Sequence, residues 1–222
     1  MPRTARASVG DMVYHVINRG NARQTVFHDD ADYGAFLTLL GDAHRRLPMR
    51  VLGFCLMPNH FHLVLWPRGD GDLSRFMQWL LTAHVRRHHR RHGGSGHVWQ
   101  GRFKAFPVQE DEHLLTVLRY VERNPLRAKL VRRAEQWRWS SLRCWDEKER
   151  PTYLNDGPVD RGRDWAAWVN EPLTEAELRV VRHSVHRGTP LGSPRWANAT
   201  ARRLGLEASL RPRGRPPKTL KK

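Results

Sequence analysis

Apolar and polar positions divide the first 125 residues into a short series of elements. Residues 12–17 (MVYHVI) are an apolar run stopped by Asn18-Arg19-Gly20, which predicts a strand. Asp29 or Asp30 caps a predicted helix over about 31–46, with Phe36, Leu37, Leu39 and Leu40 on its buried side. Runs at 50–56 and 60–66 flank the tight-turn signal Met57-Pro58-Asn59 and predict a hairpin. A helix opening at Asp72 or Ser74 runs to about His92 on a stripe of Leu73, Phe76, Met77, Leu80, Leu81 and Val85. The glycines at 93, 94 and 96 end it. Residues 98–108 read as a further strand, and Asp111 caps a helix that Asn124-Pro125 terminates.

The order strand, helix, strand, strand, helix, strand, helix predicts an α+β domain, an antiparallel sheet with helices packed on it. Beyond residue 130 the pattern is helical, at roughly 139–146, 164–169, 173–187 and 194–204, with no internal repeat. The expected organisation is a domain over 1–135, a helical C-terminal extension over 136–205 and a flexible basic tail over 206–222, ending in RPRGRPPKTLKK.

Composition narrows the setting. Apolar residues make up 39% of the 222, enough for a core, and nine of the aromatics are Trp. The longest apolar run, 51–57, is too short to cross a bilayer, and no apolar stretch follows the basic N-terminus. No membrane span or signal peptide is expected. Cys55 and Cys144 form no CxxC, which argues against a disulfide framework or a cysteine zinc site and fits a reducing cytoplasm.

Charge points to the partner. Lys and Arg number 39 against 22 acidic residues, a formal charge of +17, and such a surface attracts polyanions, nucleic acid foremost. It is unevenly spread. Positions 201–222 hold eight basic residues, Arg213 and Arg215 among them, and one acid. Arg86, Arg87, Arg90, Arg91, Arg102 and Lys104 form a second concentration with no acid between them. RPRGRPPK is similar to a minor-groove arm, though a solvated charge run has the same composition.

Three features carry candidate chemistry. His60 and His62 alternate with Phe61 on one predicted strand, so both imidazoles face the same way, about 7 Å apart, and can hold a divalent metal if another element adds a ligand. His84, His88 and His92 recur every fourth position on one helix, a spacing that can bind zinc. The interleaved arginines oppose a cation there, and the helix reads as a surface facing nucleic acid. Tyr120 lies at the margin of an apolar face built by Leu114, Val117, Leu118 and Val121, with Asn124 about 40° away on the same stripe. A tyrosine hydroxyl is a poor nucleophile unaided, and a metal on a scissile phosphate would supply the missing polarisation.

MPNHFHLVLWP, VWQGRFKAFPV and LRYVERNPLRAKLV, in this order and spacing, resemble the single-tyrosine HUH transposases, and among them the REP-associated tyrosine transposases. HVINRG near the start and LGLEASLRPRGRPPK near the end are similar too. The resemblance implies a ferredoxin-like or RRM-like sheet with the histidines on a central strand. It assigns the metal-binding histidines to His60 and His62, the nucleophile to Tyr120 and a third ligand to Asn124, where related insertion-sequence enzymes often have Gln. It implies Mg²⁺ or Mn²⁺, no small-molecule cofactor, and single-stranded hairpin DNA cleaved through a 5′-phosphotyrosine by a cytoplasmic, nucleoid-associated monomer or homodimer. Arg86, Arg87, Arg90, Arg91, Arg102, Lys104, Arg119, Arg123, Arg213 and Arg215 are candidate DNA contacts, and Trp99 and Phe103 are either base-stacking rings or, being on a predicted strand, core residues. Two alternatives remain open at this level: a non-catalytic hairpin binder, and a metal-dependent phosphodiesterase that uses water.

Overall fold

The computed structural model describes residues 8–145 and 150–211. Strands β1 (Val13–Arg19), β2 (Arg50–Met57), β3 (His60–Trp66) and β4 (Lys104–Val108) form one antiparallel sheet in the order β2-β3-β1-β4. Helices α1 (Asp30–Arg46) and α2 (Asp72–His92) cover one face, burying Phe36, Leu40, Phe76 and Leu80 against Tyr14, Val16, Phe61 and Leu63. Helix α3 (Glu112–Glu122) covers the other, with Leu114, Val117, Leu118 and Val121 against Val13, Cys55 and Val64. The expected α+β architecture is what the chain adopts.

Local chemistry accounts for the element ends. Asp29 accepts the amides of Ala31 and Asp32, both at 3.1 Å, and opens α1. Asp111 does the same for His113 at 2.9 Å and opens α3. Gly53 marks a register shift in β2, where a Cβ would stand 2.7 Å from a methyl of Leu118. The missing side chain lets α3 settle onto the sheet.

Two elements differ from expectation. The strand predicted over 98–108 is regular only from Lys104; Gly101, at φ 146°, breaks the extended run, and Trp99 makes only an isolated bridge to Gly20. The helix expected to stop at Asn124-Pro125 breaks one residue earlier, at Arg123, and resumes as α4 (Asn124–Arg127). Pro125 occupies the first turn of α4, where its missing N–H costs nothing.

The remaining chain forms α5 (Ser141–Cys144), α6 (Trp165–Asn170), α7 (Glu175–Arg187), α8 (Pro194–Leu204) and α9 (Glu207–Leu210). Trp165, Val169, Leu173, Val181 and Leu191 join the apolar cluster of α3. Glu122 of α3 is fully buried beneath them and accepts hydrogen bonds from Ser141 Oγ (2.6 Å), Trp145 Nε1 (3.1 Å) and Trp165 Nε1 (2.6 Å). The short helix α9 falls inside the stretch read as a flexible tail; Arg213 and Arg215 lie outside the described residues, as does residue 146 at the end of the predicted 139–146 helix. Among the described residues no helix is long and apolar enough to cross a membrane.

Candidate active site

Alternation along β3 sends Phe61, Leu63 and Leu65 into the core beneath α1 and α2. His60 and His62 take the opposite face, beneath α3, with ring centroids 5.1 Å apart. Each ring is held by its Nδ1. His60 Nδ1 lies 2.7 Å from Asn59 Oδ1; a carbonyl oxygen only accepts, so Nδ1 carries the proton and Nε2 keeps its lone pair. His62 Nδ1 lies 2.9 Å from Nε2 of His15, whose ring stacks on it at 5.1 Å.

His15 comes from β1, the strand beside β3, and went unmarked in the sequence. Its phase with Val13 and Ile17 gives its face, but only the sheet order brings it to His62. Burial pushes His15 down to about 3. Burial, helped by Arg19 and Arg127, pushes His60 down to about 4. His62 is held well below the usual histidine value by burial, then by His60, His15 and the same arginines. All three imidazoles are neutral at pH 7, the form in which they donate electron pairs.

Tyr120 stands over this cluster. Its ring meets His62 edge-on at 5.8 Å and His15 at 6.3 Å. It is 7% exposed, deeper than the half-wet margin position expected from the helical wheel. Asn124, one turn on, is buried; its Oδ1 accepts from Arg127 Nη2 at 2.9 Å, and its Nδ2 has no hydrogen-bond partner. The Arg127 guanidinium lies 5.3 Å from the Tyr120 ring centre.

Two neutral imidazoles with free Nε2 atoms suit a divalent ion, and the second lone pair of Asn124 Oδ1 is available beside Tyr120. Among the described residues no third histidine, cysteine or carboxylate closes a tight cluster with His60 and His62.

The candidate DNA contacts separate into groups. Arg86, Arg87 and Arg90 line a groove of about 430 Å³ together with Arg46 and Trp79. Arg102 and Lys104 are exposed and line a cleft of about 480 Å³ with Asn18 and Arg19, at the end of β1 that pairs with His60. Arg91 turns back instead to Asp29 (2.6 Å) and Asp32 (2.9 Å).

Trp99 and Phe103 take the core alternative, and the expected DNA contacts of Arg119 and Arg123 are corrected. Trp99 and Phe103 are core residues, 4% and 5% exposed, and Trp99 packs on Phe61 and His84 at 5.2 Å, leaving no face for a base. Arg119 is buried and donates to the carbonyls of Trp168 (2.9 Å), Glu171 and Pro172 (both 3.0 Å) and to Glu177 (3.1 Å). Arg123 donates to the carbonyls of Val169 and Asn170. The carbonyls at and just beyond the end of α6 attract both guanidinium groups. They bind the extension to α3 and are not free for phosphate.

A family model described as "Transposase IS200 like" matches residues 8–124. A Haemophilus influenzae protein assigned as a REP-associated tyrosine transposase is 26% identical over 106 residues, 43% of this chain. The match spans 60% of that relative's length. The solved structure of a REP-associated tyrosine transposase bound to a REP hairpin superposes with a TM-score of 0.55 at 17% identity, covering 79% of this chain and 100% of that one.

Proposed function

The chain belongs to the IS200-like transposase family, and on that premise we propose that it is a hairpin-DNA strand transferase with Tyr120 as nucleophile. The observation that carries the reading is Tyr120 standing 5.8 Å from His62, on the sheet face that also bears His60. The substrate is single-stranded DNA folded into a REP-type hairpin, the ligand of the solved relative of similar fold.

His60 and His62, with Asn124, would hold Mg²⁺ or Mn²⁺, and nitrogen donors rank Mn²⁺ first. When bound, such an ion would supply charge neutralisation and polarisation of the scissile phosphate. Tyr120 Oη attacks phosphorus in line. The new bond joins Oη to phosphorus, and the bond from phosphorus to the 3′ oxygen breaks. The tyrosine proton goes to solvent, the leaving 3′ oxygen takes up a proton from solvent to become 3′-OH, and the 5′ phosphate stays on Tyr120. Arg127, beside the ring, stabilises the negative charge that develops on the phenol oxygen. Attack of a 3′-OH on the phosphotyrosine rejoins strands without ATP, because the phosphodiester energy is kept in the covalent link. Arg102 and Lys104 lead the DNA backbone toward the site.

End-labelled hairpin DNA on a denaturing gel tests the reading. A covalent adduct that needs Mg²⁺ or Mn²⁺ and vanishes in Tyr120→Phe is the expected result. Cleavage surviving in Tyr120→Phe would point to water as nucleophile, and binding without cleavage to a non-catalytic binder. His60→Ala should end cleavage yet hold hairpin affinity within a few-fold, because basic groups dominate affinity.

A further inference from the structure

The three α2 histidines go different ways. His84 turns into the core against Phe36 and Trp99, both at 5.2 Å, and takes no part in a surface site. His88 and His92 meet instead His28, from the loop before α1. Ring centroids are 6.0 Å apart for His28 and His88, 4.7 Å for His28 and His92, and 4.9 Å for His88 and His92. One ring nitrogen from each lies within 4.8 Å of the others.

Three observations mark this as more than a crowded surface. Both nitrogens of His88 are out of contact with solvent and have no hydrogen-bond partner, which is unusual for a polar ring. Asp32 accepts from His92 Nε2 at 3.0 Å and from the backbone amide of His28 at 2.9 Å. It orients the His92 ring, as carboxylates do behind metal-bound imidazoles, and ties down the backbone of His28. Lastly, the arginine field expected to repel a cation is diverted. Arg91 is paired with Asp29 and Asp32, while Arg86, Arg87 and Arg90 line the groove beside Trp79.

We propose that His28, His88 and His92 form a second metal site, for a divalent transition ion of the zinc class, that clamps the loop before α1 to the last turns of α2. Three imidazoles leave a fourth position for water. The site belongs to the α1–α2 layer, across the sheet from His60 and His62, so the two ions would be bound independently. Its role is structural: it fixes the end of α2 next to Gly93, Gly94 and Gly96, whose positive φ angles turn the chain toward β4.

The test uses the full chain, stripped with chelator and titrated with Zn²⁺ by calorimetry and with Co²⁺ by visible absorption. In a His60→Ala/His62→Ala background one equivalent should still bind, give a tetrahedral-type Co²⁺ spectrum and raise Tm. Adding His28→Ala should weaken binding at least tenfold, and His88→Gln with His92→Gln at least 100-fold, removing the Zn²⁺-induced rise in Tm. His28 is exposed, so its variant keeps the fold and circular dichroism verifies it. Failure of the His60/His62-deleted protein to bind, or undiminished affinity in His28→Ala, would overturn the proposal.

Discussion

His15 Nε2 lies 2.9 Å from His62 Nδ1, bridging the two central strands of the sheet. For His62 to bind an ion through Nε2, its Nδ1 must carry the proton and His15 must accept it. On the proposed reading His15 is thus a positioning residue for His62. His15→Leu should lower single-turnover cleavage and apparent Mn²⁺ affinity 10–100-fold, the usual effect of losing such a partner. His15→Gln, which keeps an acceptor, should recover most of the loss, and hairpin affinity should change only a few-fold. Equal defects in Leu and Gln would assign His15 to packing alone.

Exposed and buried arginines should behave differently. Arg102→Ala and Lys104→Ala should each weaken hairpin binding and reduce the salt slope of log K by about 1, as expected for lost phosphate contacts. Arg119→Ala should leave the slope unchanged and instead cost about 3 kcal/mol of stability, since it strands three carbonyls and Glu177. Binding isotherms across salt, with urea unfolding of the same proteins, separate the two behaviours.

Acid should destabilise the metal-free protein through buried neutral histidines. His84 is pushed down to about 3, chiefly by burial, while an unfolded histidine protonates near 6.5. Its contribution is whole above pH 6.5 and is lost as pH falls toward 3, where the unfolded chain binds a proton that the folded chain refuses. The slope is about 1.4 kcal/mol per pH unit for each such group. His84→Leu should flatten stability between pH 6 and 4 by about one proton. An unchanged slope in chelator would show that His84 does not resist protonation.

Glu122 is a joint between α3 and the extension. Glu122→Ala leaves the two indole donors of Trp145 and Trp165 without an acceptor, while the Ser141 hydroxyl keeps the Phe54 carbonyl, and should cost about 3 kcal/mol. Glu122→Gln keeps one acceptor and should cost less. Denaturant midpoints rank the three proteins.

Short-range pattern made much of this molecule legible. The alternation in HFHLVLW put His60 and His62 on one face, and the wheel of α3 set Asn124 beside Tyr120. What escaped depends on pairings remote in the chain. His15 reaches His62 across 47 positions, and Arg119 meets Glu177 across 58. At helical spacing Arg119 and Arg123 look like surface charges, because nothing nearby in sequence discloses the carbonyls of α6. His84, His88 and His92 share one periodicity, yet a twist of the helix buries the first and leaves the others to His28.

The grip of Arg119, Glu122 and Arg123 on the extension has a practical consequence. Tyr120 shares its helix with Arg119 and Glu122, and Arg123 ends it, so the helix works as a beam held from above as well as below. Trimming the chain at residue 135 to obtain a minimal nuclease would unload one side of that beam and leave a buried carboxylate and two arginines facing water. An engineer should instead keep α6 and α7 and look for shortening elsewhere. The placement of Tyr120 is set in part from outside the stretch that the family match covers.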